Sequence, residues 1–86
     1  IEVTDEIIEQ VLNDFKQFRD KKIKKKGKRP FSSPGEIHSK IMEETYELLM
    51  EVHKKDWERF EEELFDIFMT AYWGICSLKN NKNNNK

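Results

Sequence analysis

The chain is 86 residues long, 36% hydrophobic and 38% charged, with a formal net charge of −1. That is room for one domain, close to the size at which a single core is only marginally stabilising. The balanced charge gives no general attraction to a nucleic-acid polymer or an anionic membrane, and no apolar run is long enough to span a bilayer.

Six Phe, two Trp and two Tyr argue against a disordered chain. Three Gly and two Pro leave little punctuation, so the elements should be few and long. The first residues do not read as a secretory signal. The one cysteine, Cys76, excludes an internal disulfide and suits a reducing, cytoplasmic setting.

In chain order, TDEIIEQVLNDFKQF places Ile7, Ile8, Val11, Leu12, Phe15 and Phe18 at helical spacing, with Thr4 as its N-cap. The basic stretch KKIKKKGKRPF that follows reads as a loop. A second helix opens at SPGE, where Ser33 caps, Pro34 takes the first helical position and Glu36 completes a capping box. It runs to about Lys54. HKKD at 53–56 is a turn, Asp56 caps a third helix, and that helix runs to about Leu78. From Leu64 onward the third helix is apolar nearly all round, which calls for cover on more than one side. Three helices in one short chain cannot supply it, so self-association into a homodimer or homotetramer is expected. Residues 1–79 form one helical domain in this reading, and 80–86, rich in Asn, a disordered polar tail.

One residue breaks the apolar run: Asp66, within LFDIFMTAYWGI. A buried carboxylate is costly without a partner. Two acidic pairs stand three residues apart, Glu44 with Glu47 on the second helix and Glu63 with Asp66 on the third, and that spacing puts each pair on one helix face. Folding the helices as an antiparallel hairpin about position 55 sets Glu44 level with Asp66 and Glu47 level with Glu63. Four carboxylates at one height repel one another. Lys40 is the nearest basic residue on that flank and cannot neutralise them all. A hard divalent cation with oxygen ligands resolves the conflict. The competing account is solvated acidic decoration, preferred for Glu43, Glu58, Glu61 and Glu62.

The pattern EExxE followed at a distance by ExxD resembles the signature of MazG-like, all-α nucleoside triphosphate pyrophosphohydrolases. It reads here Glu43-Glu44-Thr45-Tyr46-Glu47 and Glu63-Leu64-Phe65-Asp66, and the likeness covers roughly residues 33–78. The resemblance implies hydrolysis of a nucleotide between its α- and β-phosphates, with Mg²⁺ (or Mn²⁺) held by Glu44, Glu47, Glu63 and Asp66. Glu47 would accept the proton of the attacking water. Lys28 and Arg29 are the expected phosphate contacts, with His38 and Lys40 as further substrate-binding candidates. Tyr72 and Trp73 read as core aromatics that are also able to stack on a base. Many relatives carry a further helix after ExxD, whereas NNKNNNK follows Lys79 here, so nucleotide contacts would come from the first helix, the basic stretch or a second subunit. A non-catalytic helical interaction module is the alternative function.

Overall fold

The Thr4 side chain accepts from the backbone N–H of Ile7 at 3.2 Å and starts the first helix where the sequence places its cap. In the computed structural model, which describes residues 1–84, the helices are α1 (Asp5–Lys26), α2 (Pro34–Lys54) and α3 (Trp57–Asn84). No strand occurs among the described residues. Ser33 accepts from the N–H of Glu36 at 3.2 Å, and Asp56 Oδ1 from the N–H of Arg59 at 3.2 Å, so all three expected caps form. The Glu36 carboxylate takes the hydroxyl of Ser32.

Two helix ends differ from expectation. The basic stretch is a loop only from Gly27 onward, because α1 runs through its first part, Lys21 to Lys26. Lysine is a good helix former, and Lys24, Lys25 and Lys26 sit at the negative end of the helix dipole. Gly27 ends the helix: its φ of 81° is a conformation that side chains disfavour, and its N–H donates to the Ile23 carbonyl at 2.7 Å. At the other end, α3 continues past Leu78 to Asn84, since neither Gly nor Pro interrupts it after Gly74. Residues 80–84 of the expected tail therefore extend α3, and 85–86 lie outside the described residues.

α2 and α3 form the hairpin, turning at Lys55 in the left-handed region with φ 57°. The amide of Asp56 donates to the Glu51 carbonyl at 3.1 Å and closes the turn. Far from the turn the helices run close, and a Cβ on Gly74 would stand 3.0 Å from Ile37 Cγ2. α1 lies against α3 through aromatic rings. Phe15 centres 4.0 Å from Phe68 and 5.5 Å from Tyr72, and Phe18 stacks on Phe65 at 5.6 Å. Arg19 Nη1 donates to the Tyr72 hydroxyl at 3.3 Å.

Among the described residues Phe15, 2% exposed, is the one fully buried large apolar side chain. Ile7, Ile8, Val11 and Leu12 of α1 stand exposed, as do Met42, Tyr46 and Leu49 of α2 and Leu64, Phe68 and Ile75 of α3. The apolar face expected along α1 is thus real in pattern but half uncovered in one chain. Among the described residues no helix is long and apolar enough to cross a membrane.

Candidate functional site

The hairpin brings the two acidic pairs together. Glu44, on the inner face of α2, is only 7% exposed, and its Oε1 accepts the hydroxyl of Thr70 from α3. Burial raises the Glu44 carboxyl above its ordinary range; the Thr70 hydrogen bond pulls the other way, and the nearby Asp66 charge adds to the rise. Burial also pushes Glu63 up to about 7, with the charges of Asp66 and Glu47 acting in the same direction. Glu63 Oε2 is shut off from solvent and has no hydrogen-bond partner. The charges of Glu44, Glu47, Glu63 and Asp66 therefore bear on one another across α2 and α3. Glu51, one turn beyond Glu47, continues the row at 8% exposure, and its Oε2 is also unpartnered. No sequence pattern singled it out.

The cation facing Asp66 comes from α1. Lys22 Nζ lies 3.3 Å from Asp66 Oδ1. Lys40 instead reaches Glu43, 3.7 Å away on its own helix. Lys22 was hidden by the reading of its segment as a loop. Once α1 is continued, Lys22 follows Phe18 by one turn on the face that meets α3, and the helical spacing alone would have found it.

Beside the acidic row opens a cavity of about 250 Å³. α1 contributes Lys22, Ile23 and Lys26; the connection contributes Gly27, Arg29 and Phe31. Lys40 and Glu44 come from α2, and Asp66, Met69, Thr70 and Trp73 from α3. Four cationic side chains thus meet two carboxylates and an apolar, aromatic wall. The connection is tied down over it. Trp73 Nε1 donates to the Arg29 carbonyl at 2.8 Å, and the Phe31 N–H donates to Ser77 Oγ at 2.9 Å.

Of the expected substrate contacts, Arg29 and Lys40 line this cavity, whereas Lys28 lines a second one that shares Ile23 and Trp73 with it. His38 is exposed and lines neither. Trp73, expected chiefly as core, borders both. Lys26, Phe31, Met69 and Thr70 went unpredicted as site residues. Thr70 carried a legible signal, one turn after Asp66 on the same face.

Mg²⁺ suits the chemistry of these donors, which are all carboxylate oxygens, and the unpartnered Glu63 Oε2 is the orphaned group such a cation would satisfy. The side chains do not form a ready-made cage. Among the described residues no three Asp, Glu, His or Cys side chains gather closely enough to hold a metal ion.

The three helices, the opposed acidic pairs and the cation-lined cavity define an all-α protein with an acidic inter-helix site. The profile of the MazG nucleotide pyrophosphohydrolase domain matches residues 32–83, more than half of the chain, including both acidic motifs and all of α2. The chain belongs to the MazG nucleotide pyrophosphohydrolase domain family. Neither the curated proteins nor the solved structures gave a match.

Proposed function

We propose that the chain is a Mg²⁺-dependent nucleotide pyrophosphohydrolase, converting a ribo- or deoxyribonucleoside triphosphate to the monophosphate and pyrophosphate. The observation that carries this reading is the junction of a four-cation cavity with Glu44 and Asp66, the two motif carboxylates that line it. A polyphosphate needs the cations, and the acidic row needs a divalent ion.

Glu44, Glu47, Glu63 and Asp66 would hold the metal. When bound, Mg²⁺ supplies charge neutralisation at phosphate and a water of lowered pKa. Thr70 fixes the Glu44 carboxylate, so that this ligand costs little to orient. Lys26, Arg29 and Lys40 hold the phosphate chain from the cavity wall. Phe31, Met69 and Trp73 exclude water and offer flat apolar surface to a base or sugar. A carboxylate oxygen of Glu47 would accept the proton of the attacking water. The water oxygen would bond to Pα as the bond between Pα and the bridging oxygen breaks, and pyrophosphate would leave.

We also infer that the working form is a homodimer or homotetramer, because the exposed apolar rows on all three helices ask for a second copy. The test of function is a panel of nucleoside triphosphates incubated with Mg²⁺ and assayed for pyrophosphate. Release from at least one is expected. No release from any of them, with Mg²⁺ or Mn²⁺, would return the chain to the alternative of a helical interaction module.

A further inference from the structure

Asp66 already has a cation, the Lys22 ammonium at 3.3 Å, and both side chains are roughly one-quarter to one-third exposed at the cavity wall. The same ammonium lies 5.3 Å from the centre of the Phe18 ring, which itself stacks on Phe65, the residue before Asp66. Lys22 therefore has two holders and also lines the cavity. Lysine suits such a position, because it carries a compact charge on a flexible stem.

Resting on the metal-dependent reading above, we propose that Lys22 and the divalent cation compete for the Asp66 carboxylate. When the cation takes Asp66, Lys22 is repelled from it, keeps its seat against Phe18 and turns its ammonium to the substrate phosphates beside Lys26, Arg29 and Lys40. The exchange keeps the charge at Asp66 compensated throughout. It also couples metal loading to nucleotide capture, since the group that the metal displaces is one that the nucleotide needs. Lys22 acts as a positioning residue before loading and as a phosphate contact after it.

The test is calorimetric titration with Mn²⁺ in the absence of nucleotide, comparing the wild type with Lys22→Met and Lys22→Arg. With its competitor gone, Lys22→Met should bind Mn²⁺ roughly two- to fivefold more tightly, the range set by a part-exposed ion pair. At saturating Mn²⁺ it should bind an α,β-imido nucleoside triphosphate about tenfold more weakly, having lost a charged phosphate contact. Lys22→Arg should stay near wild type in both. Unchanged or weaker Mn²⁺ binding in Lys22→Met, with clear binding by the wild type, overturns the competition and leaves the metal site standing. Absence of Mn²⁺ binding in every protein overturns the metal-dependent reading and this proposal together. Should Lys22→Met not fold, an NMR titration of the wild type with Mg²⁺ decides. The Lys22 side-chain signals must shift as the metal saturates, and signals that stay put overturn the proposal.

Discussion

The Thr70 hydroxyl on α3 donates to Oε1 of Glu44 on α2, a contact between two side chains that are each less than one-tenth exposed. It ties the inner faces of the hairpin together. Thr70→Val keeps the shape and removes the donor. A buried carboxylate left short of a partner costs about 1–3 kcal/mol, so the variant should unfold at lower urea. The loss should shrink as pH falls and the raised Glu44 carboxyl takes up its proton, because only the ionised carboxylate needs the donor so strongly. A loss independent of pH would place the effect in packing.

Glu63 sets an unusual pH dependence. Its carboxyl titrates near 7 in the folded chain, against an ordinary value of 4.5. Between those values the unfolded chain gives up a proton that the folded chain retains. Folding stability without divalent metal should therefore fall as pH rises from about 4.5 through 7, opposite to a salt-bridged carboxylate. Thermal unfolding in a chelating buffer series reads it directly. Glu63→Gln should flatten the profile, and a midpoint that climbs with pH would contradict the assignment.

The hairpin was legible in the sequence because its signals are local. Thr4, Ser33 and Asp56 cap where caps were expected, and the turn between α2 and α3 falls at Lys55, within the stretch read as a turn. The end of α1 was not legible by the same means. A run of lysines resembles a solvated loop, yet each lysine tolerates a helix, and only Gly27 stops it. From that single misplacement followed the larger one, the cation at Asp66, since a lysine read into a loop has no face. The burial of Glu51 had no local signal, being set by how the hairpin closes around it.

Asp66 and Glu62 separate geometry from bulk charge. Asp66→Asn removes a proposed metal ligand at the cavity wall, so Mg²⁺-dependent pyrophosphate release should fall about 100-fold or more. In chelator its stability should change little, because the lost Lys22 pair, worth about 1 kcal/mol or less, is offset by relief of repulsion at Glu44 and Glu63. Exposed Glu62→Gln should leave rate and stability nearly unchanged. Equal losses of rate in both variants would mean that general acidity, not the four named carboxylates, supports activity.

Assembly should be visible by sedimentation. With Phe15 alone fully buried among the large apolar side chains described, a lone chain has little core to hold it. At micromolar concentration the protein should sediment as a species heavier than the 10.4 kDa protomer. Leu49→Glu, in the exposed row with Met42 and Tyr46, should lower that mass or the melting temperature. A well-folded 10.4 kDa monomer would remove the case for a second copy.

The closed hairpin also bears on the order in which the molecule comes together. Glu44 and Thr70 are separated by 26 residues within two consecutive helices, so a short loop closure gathers the whole acidic row. Lys22 belongs to α1 and arrives only when that helix docks on α3. A folding route on which α1 docks last would pass through a stage in which the carboxylates have met and their protein counter-charge has not. That stage would carry the greatest self-repulsion, and a divalent cation would lower it most. An ion that served the chemistry would, in this chain, also speed the fold.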